Sequence, residues 1–139
     1  GETQFVDPEL VRGTLGHAFD LLQGLEHPLA RAAFIMFSVA EIHPFTDGNG
    51  RVARIMMNAE LVHGGLVKIM IPTVYRDDYL LALRALSRQG RAGPLVRMLT
   101  HAQRFCSEID FKDFDHARHR LEVANAFKEP DEARLRLSG

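Results

Sequence analysis

His43, Asp47, Arg51 and Arg54 fall within one short stretch, His43-Pro44-Phe45-Thr46-Asp47-Gly48-Asn49-Gly50-Arg51, with Arg54 just beyond it. Imidazole is the usual general base for a hydroxyl nucleophile. A carboxylate such as Asp47 offers the oxygen ligand that Mg²⁺ prefers, and phosphate oxygens commonly complete such a site. Gly48, Asn49 and Gly50 can open a helix whose first amides have no internal partners, and glycine allows a ligand to approach the backbone closely. Those amides and the positive end of the helix dipole make a local anion site. Arg51 and Arg54, three residues apart, share one helical face and can grip successive phosphates, with Asn58 one turn further along. Asn58 is open between a nucleotide contact and ordinary helix surface. Base, metal ligand, anion site and cationic clamp together are what in-line transfer at phosphorus needs.

The elements that must carry these groups read as successive helices. Val11, Leu15, Phe19, Leu22 and Leu25 recur at helical spacing, which predicts an amphipathic helix over residues 8–25 with Pro8 in its first turn. His27-Pro28 breaks it. Residues 29–42 are apolar nearly all round and predict a buried central helix, which Pro44 ends so that His43 is carried on a rigid terminus. Phe45 is expected to pin the loop to the core. Residues 48–63 predict the next helix, with Gly64-Gly65 as its stop. The stretch 66–71 is short and apolar and is expected to be extended.

Further on, Pro72-Thr73 lead into a helix carrying Tyr79, Leu80, Leu83 and Leu86, which ends near Gly90. Pro94 starts another, through Leu95, Leu99, Ala102, Phe105 and Ile109. Residues 113–127 predict a further helix with Phe114, Ala117, Leu121 and Phe127 toward the core, and 130–137 a short terminal helix or tail. The expected fold is all-α, a helical bundle of one domain over residues 1–139, with the active-site loop between the buried helix and its successor.

Composition sets the class limits. The chain has 139 residues, enough for one core without staples, and 17 Lys plus Arg against 18 Asp plus Glu. This balance gives no electrostatic drive toward nucleic acid or anionic membrane, so neither partner is expected. One cysteine, Cys106, precludes an internal disulfide and is read as an inert core thiol in a cytoplasmic setting. His116 and His119, near Asp113 and Asp115, read as a solvated face rather than a metal site. Met36, Met56, Met57 and Met70 read as core filler. Arg54 has an alternative structural role, as an ion-pair partner of Glu41 or Glu60, and Asp47 one as a helix N-cap.

The central stretch resembles the His-Pro-Phe-x-Asp/Glu-Gly-Asn-Gly-Arg-x-x-Arg signature of Fic-domain proteins. The similarity extends to the apolar helix before it, to Tyr75-Arg76-Asp77-Asp78-Tyr79, and to Ala124-Asn125-Ala126-Phe127 with Glu129-Pro130-Asp131-Glu132-Ala133. The resemblance implies AMP transfer from ATP to a Tyr, Thr or Ser hydroxyl of a target protein. In that scheme His43 deprotonates the hydroxyl and Asp47 holds Mg²⁺. Gly48, Asn49 and Gly50 form the anion hole, while Arg51 and Arg54 brace the phosphates. Glycine at Gly48 favours adenylylation over transfer of other phosphate-bearing groups, and Tyr79 is placed by resemblance near the nucleotide base, although as a residue type it reads equally as core.

Fic proteins are often restrained by a helix bearing Ser/Thr-x-x-x-Glu-Gly/Asn, a pattern not found in this sequence. An upstream helix or an antitoxin-like partner is therefore the expected source of restraint. The chain opens on Gly1 and is expected to be part of a longer protein, with residues 1–6 as the trailing end of a target-aligning flap. Removal of AMP, transfer of another nucleotide, and non-catalytic nucleotide binding in a toxin–antitoxin module stand as the alternatives.

Overall fold

A computed structural model describes residues 5–137. Among them are six α-helices and one 3-10 turn, with no strand, as the apolar periodicities predict. The chain divides by internal packing into two compact units, Gly1–Leu66 and Val67–Gly139.

The first unit holds α1 (Val11–Gln23), α2 (Pro28–Ile42) and α3 (Asn49–His63), with α2 packed against both of the others. Ala32, Ile35, Met36, Val39 and Ile42 recur at intervals of three and four and are all buried. Ala53, Met57 and Leu61 supply the facing stripe of α3, and Ala18 and Leu22 that of α1. Helix α2 begins cleanly because His27 caps it: Nδ1 accepts the Leu29 amide at 3.2 Å, and Pro28 occupies the first turn.

Helix α1 starts three residues later than its periodicity predicts. Asp7 holds the preceding residues in a turn, accepting the Glu9 amide on Oδ1 and the Leu10 amide on its carbonyl. Arg31 ties the three helices of this unit together. Its guanidinium donates to Glu60 of α3 at 2.6 Å and to the Leu22 and Leu25 carbonyls at 2.7 and 2.9 Å.

In the second unit, a 3-10 turn (Thr73–Tyr75) leads into α4 (Arg76–Gln89), followed by α5 (Gly93–Ser107) and α6 (Phe114–Val123). Gly90 ends α4 in the left-handed conformation. Leu95, Met98, Leu99, Ala102, Phe105 and Cys106 form the buried stripe of α5. The preceding segment 66–71 is irregular. The Cys106 thiol accepts the Met70 amide at 3.2 Å and contacts the Met70 carbonyl, while Gln103 donates to the Val67 carbonyl. Met70 itself is exposed, unlike buried Met36 and Met57, so it is not core filler.

Helix α6 is shorter than predicted. Asp113 caps its start, and the chain then turns, with Asn125 at φ 63°. Small residues Ala117, Ala124 and Ala126 pack inward with Phe105, Cys106 and Ile109. Phe114 and Phe127, expected in the core, are 75% and 63% exposed. The early end of the helix breaks the register that would have turned Phe127 inward. Beyond it, residues 130–132 form a turn rather than a terminal helix. No helix among the described residues is long and apolar enough to cross a membrane.

Candidate active site

His43 terminates α2 with its amide bonded to the Val39 carbonyl and its backbone at φ 56°, ψ 54°. A non-glycine residue in this left-handed region is strained by about 1–2 kcal/mol. Pro44 disfavours the right-handed helical alternative, and the left-handed turn ends the helix abruptly. The imidazole is half-buried, and its Nδ1 lies 3.4 Å from the Ala40 carbonyl. A carbonyl only accepts, so this contact favours a proton on Nδ1 and a free lone pair on Nε2. The Phe5 ring stacks on His43 with centroids 3.8 Å apart and planes 19° from parallel.

The loop is not pinned by Phe45, which is 50% exposed. Asn49, only 3% exposed, does that work instead. Its Oδ1 accepts the Phe45 amide at 2.9 Å and its Nδ2 donates to the Phe45 carbonyl at 2.7 Å. The Asn49 side chain is thus committed to the loop, leaving its backbone amide as the group available to an anion. Satisfying a peptide's donor and acceptor together closes the loop on the start of α3 without an apolar anchor.

Gly48 is the N-cap of α3 at φ 80°, and no side chain caps the helix. Its carbonyl accepts from Val52. The amides of Asn49, Gly50 and Arg51, in the first turn, consequently have no intrahelical acceptor, the arrangement by which a helix start can receive an anion. The left-handed φ of Gly48, rather than crowding, is what favours glycine here. A Cβ on Gly50 would sit 3.4 Å from Arg54 Nη1, and one on Gly48 3.6 Å from Arg51 Nη2.

Asp47 is not the helix cap. Its Oδ2 pairs with Arg51 Nη2 at 3.1 Å, with side chains 91% and 71% exposed. Such an open pair contributes about 0.3–0.5 kcal/mol, so phosphate or a cation would readily displace it. Arg54 follows one turn later on α3, beside Gly50. Glu60, one of its two possible structural partners, is engaged on both carboxylate oxygens by Arg31. Asn58 is half-buried on the same helix and has interactions of its own.

Tyr79 is buried on α4 in the second unit, in keeping with a core tyrosine. Tyr75, by contrast, lines a groove of about 570 Å³ between α4 and α5, with Asp78, Arg97 and His101. Burial, then the Asp78 carboxylate, raises the Tyr75 phenol above its ordinary value. His116 and His119 are exposed, and Asp113 serves as the α6 cap.

No cluster of three or more candidate metal ligands occurs among the described residues. A lone accessible carboxylate beside an anion site nevertheless suits Mg²⁺ carried with a polyphosphate, since that ion takes one or two carboxylates and fills its shell with phosphate and water. Of the expected flap, residues 1–4 lie outside the described residues. Phe5 is the one member of the site that local patterns miss, because nothing in residue spacing joins it to His43.

Known proteins resemble this chain in sequence and in fold. The Fic/DOC family model matches residues 1–61. Proteins named protein adenylyltransferase Fic from Drosophila persimilis and Drosophila melanogaster are each 38% identical over 73 residues, 52% of this chain. The chain spans only 14% and 15% of their respective lengths. Among solved structures, Fic-1 of C. elegans aligns with a TM-score of 0.62 at 23% identity, covering 89% of this chain and 37% of the other. A Fic domain containing signaling protein from Bacteroides thetaiotaomicron aligns with a TM-score of 0.60 at 22% identity, covering 99% and 52%. At these identities the two structures speak to the fold alone.

Proposed function

We propose that this chain, whose residues 1–61 are Fic/DOC family sequence, acts as a protein adenylyltransferase, with residues 1–139 as its catalytic domain. The observation that carries the reading is the meeting of His43, at the end of α2, with the uncapped first turn of α3 across a loop closed by Asn49.

In the proposed reaction a target Tyr, Thr or Ser hydroxyl attacks the α-phosphorus of ATP. His43 Nε2 takes the hydroxyl proton as the new oxygen–phosphorus bond forms. The bond from the α-phosphorus to the oxygen bridging to the β-phosphate breaks, and pyrophosphate leaves with that electron pair. The first amides of α3 hold phosphate oxygens, and Arg51 and Arg54 clamp them with charge-assisted hydrogen bonds. Asp47 would hold Mg²⁺, which when bound offsets the charge of the phosphates. Asn58 is a proposed nucleotide contact, and the protein partner is the hydroxyl-bearing target.

The test is mass spectrometry of protein substrates after incubation with ATP, comparing wild type with His43→Ala. Added AMP mass that depends on His43 supports the reading. Equal labelling by the two proteins refutes it. Loss of AMP from pre-modified targets, or transfer from another nucleotide alone, would redirect the reading to a related phosphoryl-group reaction. Saturable ATP binding without turnover would make it a binding module.

A further inference from the structure

We propose that Phe5 is a positioning residue for His43, holding the imidazole plane so that Nε2 faces the incoming hydroxyl; this role rests on the transferase reading above. The rings are 3.8 Å apart and 19° from parallel. Phe5 is 44% exposed, so core packing is a poor account of its placement. Rotation of an imidazole about its Cβ–Cγ bond is soft and roughly two-fold. One contact of 3.4 Å from Nδ1 to the Ala40 carbonyl is too long to fix that rotation alone.

The two contacts solve different halves of the problem. A stacked ring restricts the imidazole to one plane but tolerates a half-turn that exchanges Nδ1 with its carbon counterpart. The Ala40 carbonyl distinguishes those two orientations, because only the Nδ1–H form gives it a donor. Plane and flip together place the Nε2 lone pair on the edge opposite Nδ1. The strained backbone of His43 at φ 56° sets the direction from which the ring departs. Phe5 therefore extends the candidate site to the segment before α1, which otherwise contributes none of the proposed catalytic groups.

The test compares wild-type chain, Phe5→Leu and Phe5→Tyr by nitrogen and proton NMR of the imidazoles, with His43→Gln identifying the His43 signals. Loss of the Phe5 ring-current shift and a more mixed His43 tautomer population in Phe5→Leu, with both restored in Phe5→Tyr, is the expected result. Identical His43 signals in wild type and Phe5→Leu overturn the proposal, whatever the activity. In AMP transfer, Phe5→Leu should lower kcat roughly threefold to tenfold, the scale of an aromatic pair, with KM for ATP unchanged. A kcat that is unchanged or raised in Phe5→Leu overturns it, a rise marking Phe5 as an obstruction. If wild type shows no His43-dependent transfer, the transferase reading fails and the NMR comparison alone decides whether Phe5 orients the ring.

Discussion

Asn49 bonds both main-chain groups of Phe45, accepting from its amide and donating to its carbonyl, from a side chain that is almost wholly buried. The residue thereby joins the loop after α2 to the first turn of α3 and holds the candidate base and anion site in one frame. Asn49→Ala should destabilise the protein by about 2–4 kcal/mol, two hydrogen bonds with desolvated partners left behind. Asn49→Asp keeps an acceptor for the amide but sets a buried carboxylate oxygen against the Phe45 carbonyl, and should cost at least as much as the alanine. Urea unfolding of the three proteins checks the order.

Arg54 offers a separation of binding from stability. Arg54→Ala should weaken ATP binding by about 1.5–3 kcal/mol, the scale of a charge-assisted hydrogen bond, with little loss of stability. Titration calorimetry with ATP, set beside thermal unfolding, measures both. A stability loss as large as the binding loss would assign Arg54 to the fold instead.

Gly64 ends α3 at φ −83°, an ordinary angle, so its backbone conformation does not require glycine. Proximity does: a Cβ would lie 2.3 Å from Pro28 Cβ. Gly64→Ala should cost about 1–3 kcal/mol through overpacking against a rigid ring. Gly65→Ala, at φ 72° with open space around it, should cost about 1 kcal/mol through backbone strain. Adding Pro28→Gly, which removes the ring and its Cβ, should relieve the first loss and leave the second unchanged, as a denaturant series on the double variants would reveal.

Cys106 couples the segment before α4 to pH. Burial raises its thiol above the ordinary value of 9.0, against a smaller lowering by the Met70 backbone. The folded protein therefore keeps a proton that the unfolded chain releases first. That contribution is complete below about pH 9 and is lost as pH rises through the folded value. Tyr75, also raised, adds the same sense of change above its ordinary 10.0. Stability measured from neutral to alkaline pH should fall less steeply above pH 9 in Cys106→Ala than in wild type. At neutral pH the native thiol should react slowly with iodoacetamide.

Several features of this protein were legible without a structure because they are local. The apolar repeats at three and four residues determine which faces of α2, α3 and α5 turn inward. Pro44 excludes continuation of α2, and Gly48 permits the left-handed start of α3, since both act on their own backbone. Other outcomes depended on which side chains met in space. Phe45 and Phe127 are apolar enough for a core, yet Asn49 and a row of alanines hold the places they were expected to fill. Glu60 pairs with Arg31 across 29 residues of sequence, and Phe5 reaches His43 from before the first helix. Residue types and helical period decided the elements and the candidate chemistry. Only tertiary packing decided the partners, because hydrogen bonds, stacking and steric exclusion act between atoms within a few ångströms, whatever their separation along the chain.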